Sequence, residues 1–367
     1  MTTLRRWLAV LAGTALLAAL PALVAAVPAR SSNLSAAELL RRINASAGRP
    51  FSGYAEASGG LALPVTSRFT SVADLFGGRT QLRAWYRTSD DWRVDAVSFA
   101  GEFDIHHDES GDWTWNYESN TVERTGAPVP PQVRLPTAGD LMPPELARRL
   151  LSQAVPSEAS RLGSQRIAGR SAPGLRITPA QPASSIAYVD VWADAATGLP
   201  LRVRVQGKQS AGAVLSSSFL DFSPAEPPAA VTAFSPPLGA RVSSQPSRDL
   251  VTAIDQLGAV VPPGRLADLD RNQRLPPFGS VGVYGRGVTE LVAVPLPGRI
   301  AYSLRQELAT ATKADPNQPR LSLSVGPLNL MLTRSDQRDS SWLLVGTVTD
   351  QTLAAAAAQL PAHPGLD

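Results

Sequence analysis

The sequence predicts a mostly β chain of the α+β class, with one large antiparallel sheet, few helices and a smaller α+β unit behind it. Three observations lead there. Apolar and polar residues alternate at period two through much of residues 82–117. Turn clusters such as Ser89-Asp90-Asp91 and Glu109-Ser110-Gly111 separate the runs closely, as in a meander of hairpins and not in crossover units. Pro and Gly number 32 and 28, which favours short elements joined by turns.

The first element is a helix. Ser35 and Glu38 have the spacing of a capping box, with Leu34 and Leu39 placed as a hydrophobic staple. Leu39, Leu40, Ile43 and Ala47 mark one helical face that ends at Gly48. Strands are then predicted over residues 52–58, 82–87, 92–97, 102–106 and 113–117. Leu82, Ala84 and Tyr86 share one face of their strand, as do Trp92, Val94 and Ala96 of theirs and Trp113, Trp115 and Tyr117 of theirs. Pro143-Pro144 opens a short helix with Leu146, Leu150 and Leu151 on its apolar side. Further strands are expected over residues 174–178, 188–193, 201–206 and 214–222. Residues 223–278 read as a Pro-rich linker holding one short helix capped by Ser247. The last unit, residues 279–361, has strands near 281–284, 291–294, 328–332 and 342–348. It also has a helix through Ile300, Leu304 and Leu308, and a final Ala-rich helix capped by Asp350. Residues 34–222 form the first domain.

Composition excludes several functions. There is no cysteine, so disulfides, thiol catalysis, Cys-based zinc sites and a lipidated N-terminal Cys are all ruled out. Net charge is +3, and Arg5 and Arg6 are the only charges in the first 26 residues, so the chain without them carries +1. A near-neutral chain lacks the basic footprint of a nucleic-acid binder. Those two arginines precede a charge-free run through Ala29, with Val24 and Ala26 at positions −3 and −1 of a cleavage site before Val27. Residues 1–26 are therefore expected to be a signal peptide or a retained membrane anchor, and the chain to work outside the cytoplasm, in the periplasm.

Residues 92–124 carry a resemblance. They read W-R-V-D, then G-E-F-D-I-H-H-D, then W-T-W-N-Y-E-S-N-T-V. This is similar to the lipoprotein-carrier LolA family, with the preceding helix and the F-S-G-Y strand fitting the same pattern. The last unit holds V-Y-G-R-G at 283–287, G-P-L-N-L-M-L-T-R at 326–334 and W-L-L-V-G-T-V-T at 342–349. These resemble the small domain of the RseB/MucB regulators of envelope-stress sigma factors. The resemblance covers roughly residues 34–360. It departs from the family in a longer, more Pro-rich linker and in residues 63–78, which look inserted. It implies an unclosed half-barrel around an apolar cavity, a lipid or acylated ligand, and a membrane-bound anti-sigma factor as partner. A membrane surface is a further expected contact, and the alternative role is that of a LolA-type carrier or chaperone for lipids or lipoproteins.

The candidate cavity lining is Leu82, Tyr86, Trp92, Val94, Trp113, Trp115 and Tyr117, the large apolar side chains of the alternating strands. No cofactor, metal or catalytic set is expected. His106 and His107 fall on opposite faces of a strand and read as solvated charge beside a turn. Gly282, Gly285 and Gly287 lack the Lys-Ser/Thr ending of a phosphate loop and read as a turn between strands. With no G-x-S-x-G elbow and three histidines in all, the sequence points away from hydrolase chemistry.

Overall fold

The computed structural model describes residues 7, 14, 29–60, 77–98, 101–127, 136–245, 260–272, 279–333, 340–362 and 364–365. Helix α1 (Ala36–Ala45) leads into β1 (Phe51–Gly59), β2 (Arg79–Thr88), β3 (Asp91–Ser98), β4 (Gly101–Asp108), β5 (Gly111–Asn116) and β6 (Thr121–Gly126). Helix α2 (Pro143–Leu151) precedes β7 (Ala159–Ile167), β8 (Arg170–Ile177), β9 (Ile186–Ala193), β10 (Pro200–Gly207) and β11 (Ala213–Ser223). A single turn of helix, α3 (Ala229–Thr232), and β12 (Arg241–Gln245) follow. These strands make one 12-stranded sheet in the order β12-β6-β5-β4-β3-β2-β1-β11-β10-β9-β8-β7. Its pairs are antiparallel, except that β12 runs parallel to β6. Its two edges, β7 and β12, do not pair with each other, so the sheet is unclosed.

Both helices cover one face of this sheet. At the start of α1 the Ser35 hydroxyl accepts from the Glu38 backbone N–H at 3.1 Å. The Glu38 carboxylate turns to Arg41 and Arg42 instead of closing the box. Leu39, Leu40 and Ile43 of α1 and Leu146, Ala147 and Leu151 of α2 pack on Ala55, Leu82, Val94, Ile105, Leu175, Val191, Val203 and Phe219. Each buried Leu, Ile, Val or Phe of this set contributes roughly 1.5–3 kcal/mol. Gly53, in the F-S-G-Y strand, is required by packing, because a Cβ there would lie 2.7 Å from the Phe219 ring.

The segment read as a linker divides into two parts. Its first part straps the opposite face of the sheet. Arg87 donates to the Pro227 carbonyl at 3.1 Å, and His106 Nδ1 lies 2.9 Å from the Thr232 carbonyl oxygen. Phe234 lies on the rings of His106 and Trp113, at 4.5 and 5.8 Å. Its later part carries the hairpin β13 (Arg265–Leu266) and β14 (Leu269–Asp270), whose two leucines belong to the core of the small unit. The helix expected from Ser247, most of the expected insertion at 63–78, and all of residues 1–26 but two positions lie outside the described residues.

The small unit holds β15 (Gly282–Arg286), β16 (Thr289–Leu296), α4 (Gly298–Thr312), β17 (Arg320–Val325), β18 (Leu328–Thr333), β19 (Ser341–Gly346) and α5 (Asp350–Gln359). Its sheet order is β15-β16-β19-β18-β17. Trp342 and Tyr284 are fully buried with Leu353 and Ala356 of α5. The cap of α5 is Thr349, whose hydroxyl accepts from the Thr352 N–H at 3.3 Å. Asp350, expected as the cap, sits instead in the first turn, where a carboxylate suits the helix dipole.

The two units meet along two strips. Ser185 N–H donates to the Thr347 carbonyl at 3.0 Å and Thr349 N–H to that of Ala183 at 2.8 Å. The Ser185 hydroxyl donates to the Pro327 carbonyl. At the other strip the β15–β16 turn enters the large unit. Arg286 donates to both oxygens of the buried Glu158 carboxylate at 2.7 and 3.0 Å. Val288 joins the core of the large unit.

Candidate functional site

Strand register decides which candidate side chains can share a cavity. Tyr86 pairs with Trp92, which pairs with His107; Ala84 pairs with Val94 and Val94 with Ile105. On the next strand Ile105 pairs with Thr114, whereas His106 pairs with Trp113 and Asp104 with Trp115. Directly paired residues share a face. Leu82, Tyr86, Trp92 and Val94 therefore lie on the helix-covered face, and Trp113, Trp115 and Tyr117 on the opposite one. The seven candidate lining residues therefore form two groups back to back.

The first group is mostly core. Leu82 is fully buried and Val94 nearly so, both inside the main cluster. Trp92 stacks on His107 with centroids 5.0 Å apart. Of the seven, Tyr86 borders an open cavity. That cavity, of about 280 Å³, lies between the end of α1, the start of α2 and the first residue of β1. Its apolar wall is Ile43, Phe51, Tyr86, Pro144, Leu199 and Pro200, and its rim carries Arg49, Glu145, Arg148 and Ser152. Phe51 stacks on Tyr86 at 5.2 Å with ring planes nearly parallel, and Phe219 and Phe222 back Phe51 at 5.8 and 6.5 Å. Burial, then the nearby Glu145 carboxylate, pushes the Tyr86 phenol up to about 12, so it stays protonated as a hydrogen-bond donor. Arg148 donates to Glu145 at 2.9 and 2.7 Å. The chamber is of mixed character: aromatic and aliphatic side chains share its lining with Asn44, the buried Ser46 and the Tyr86 phenol, and its charged groups, Arg49, Glu145 and Arg148, lie at the exposed side.

The second group belongs to the strapped face. Trp113 lies under Phe234, with the Arg124 guanidinium 5.2 Å from its ring. Trp115 meets Tyr117 edge-on at 5.4 Å and donates to the Asn120 side chain at 3.3 Å; Tyr117 is exposed. His106, expected to be solvated, is buried beneath the strap, and desolvation lowers its pKa and keeps it neutral. Beside it Arg93 holds Asp95 at 2.5 Å and Asp104 at 3.2 Å. Burial, and then Asp95, pushes the Asp104 carboxyl up to about 7. His106 and His107 do face opposite ways, and among the described residues no three His, Asp or Glu side chains converge as a metal site.

No protein-family model and no curated protein matches the chain. Among solved structures it is similar to MucB in complex with MucA(peri), at 17% identity over 88% of this chain and 97% of that one, with a TM-score of 0.47. The Pseudomonas aeruginosa MucA/MucB complex gives 17% identity over 88% and 96%, with a TM-score of 0.48. A LolA superfamily protein from Nitrosomonas europaea gives 10% identity over 55% and 98%, with a TM-score of 0.23. At these scores the fold stands on its own strand order: a large unclosed sheet on helices, joined to a small α+β unit.

Sequence reasoning missed most of the cavity. Phe51 was available as the first residue of the F-S-G-Y strand. The α2 face of Pro144, Glu145 and Arg148 was available from helical spacing. Leu199, in the β9–β10 loop, and Pro200, the first residue of β10, carry no such signal, since only the tertiary fold brings them beside α1.

Proposed function

We propose that this chain is a non-enzymatic, extracytoplasmic sensor of the RseB/MucB kind, which takes a lipid or acyl chain in the cavity beside Tyr86 and regulates a membrane-bound anti-sigma factor. The observation that carries the ligand part is the chamber between α1 and α2, floored by the stacked rings of Phe51 and Tyr86 and edged by Arg49, Glu145 and Arg148. The regulatory part rests on the sequence resemblance of residues 283–349 to the small domain of those regulators, and on the attachment of that unit beside the chamber. A second unit fixed to the first by the Arg286–Glu158 ion pair suits a regulator better than a free carrier.

The test is native mass spectrometry of the chain isolated from a cell envelope, with cross-linking of the same membranes. The expected result is a co-purified acyl-bearing amphiphile, lost in Ser152→Trp, and a cross-link from the small unit to a single-span membrane protein. A chain that is ligand-free in every preparation refutes the sensor reading. A ligand-bound chain with no membrane partner leaves the carrier instead.

A further inference from the structure

Helix α2 touches two places at once. Its first two turns, through Pro144, Glu145 and Arg148, wall the cavity, and Ser152 at its C-cap completes that wall. The next residue, Gln153, is bonded to the small unit. Its carbonyl accepts from Arg286 at 3.2 Å and its side-chain oxygen from the Gly287 N–H at 3.4 Å. Leu150 and Ala154 pack beside Val288 at the same joint. Gly287 holds a φ of 62°, a conformation that costs glycine little and lets the turn lie flat against Gln153.

On the reading of the chamber as a ligand site, we propose that α2 is the lever that couples it to the small unit: a ligand that spreads α1 from α2 releases the β15–β16 turn from Gln153. A short helix packed on a sheet shifts as a body, because its internal hydrogen bonds resist bending more than side-chain packing resists sliding. Gln153 lies just past the C-cap, in a turn whose Ser152 and Ala154 N–H groups donate back to the Arg149 and Leu151 carbonyls at 3.5 and 3.1 Å, so that a shift of α2 carries Gln153 with it. The two Gln153 bonds are at the long end of hydrogen-bond range and fail first. The Arg286–Glu158 pair is shorter and doubly bonded, so it acts as the pivot. Coupling of this kind is reciprocal: whatever frees the turn must tighten ligand binding by the same factor.

The chain has no cysteine, so Arg204→Cys and Glu307→Cys, both at exposed positions on different units, give a clean label pair in the full-length protein. The probe is 11-(dansylamino)undecanoic acid. Its addition should lengthen or broaden the distance between spin labels on that pair. Arg286→Ala should bind the probe about fivefold more tightly, in the usual range of such couplings. Gln153→Ala, which leaves Glu158 paired, should shift affinity the same way by a smaller factor. Probe binding with unchanged label distances and equal affinity in both variants overturns the lever and leaves the cavity reading standing. No binding by the parent protein overturns both.

Discussion

At the residue scale, the strapped face holds the most perturbed carboxyl. Asp104 is buried, close to Asp95, and shares Arg93 with it, so its proton is retained up to about pH 7. A carboxyl with a raised native pKa favours the folded state below its unfolded value near 4. That contribution is lost as pH rises through about 7. Asp104→Asn removes the loss while Arg93 keeps both bonds to Asp95. The variant is expected to melt roughly 2–4 °C higher than the parent at pH 8, about 1 kcal/mol for a domain this size. At pH 4.5 it should gain nothing. Melting curves at the two pH values decide it, and an equal shift at both would mean that packing, not charge, sets the effect. Tyr86 follows the same sign: its phenol, pushed up to about 12, makes stability fall between pH 10 and 12, and Tyr86→Phe should flatten that fall while keeping the stack on Phe51.

At the element scale, the strap is the least expected feature. A Pro-rich stretch with little periodicity reads as a linker, yet Thr232 and Phe234 hold it to β4 and β5. Phe234→Ala should cost about 1–2 kcal/mol, red-shift tryptophan emission and open residues 224–240 to protease. Unchanged proteolysis would show that β12 alone retains the segment. The same elements show what was legible in the sequence. Alternation identified β2 to β5 and the residues sharing a face within each strand, and helical spacing identified α1 and α2. Relative face between strands was legible only by counting turns. The two-residue turn Glu109-Ser110 sets Trp113 opposite His106 and turns the tryptophan stripe away from Val94. A bulge between Tyr86 and Thr88 then brings Tyr86 beside Trp92, and no residue pattern announces it. Strands β6, β7 and β12 were missed because their polar, interrupted patterns lack the period-two signal, and β17, which reads R-L-S-L-S-V, was missed although it alternates.

At the scale of the whole molecule, the two units share a buried ion pair and part of one core. Glu158 is almost inaccessible while Arg286 is about a third exposed, and removing the arginine leaves the carboxylate only the Ala180 and Val155 N–H groups as partners, which destabilises the joint. The full chain should therefore unfold in one calorimetric transition, and Arg286→Ala should split it in two. Two transitions in the parent would mean that the joint is weaker than its geometry implies. The central claim is that the ligand enters beside Tyr86, between α1 and α2, and not over the tryptophans of the strapped face. Titration of a fluorescent fatty acid into the parent chain, Ala47→Trp and Trp115→Asp tests it most directly. Ala47 lines the cavity, so a tryptophan there is expected to obstruct it, whereas Trp115 lies on the other side of the sheet. The account predicts binding weakened at least about tenfold, some 1.4 kcal/mol, in Ala47→Trp and unchanged in Trp115→Asp. Full binding by Ala47→Trp together with loss in Trp115→Asp would contradict it.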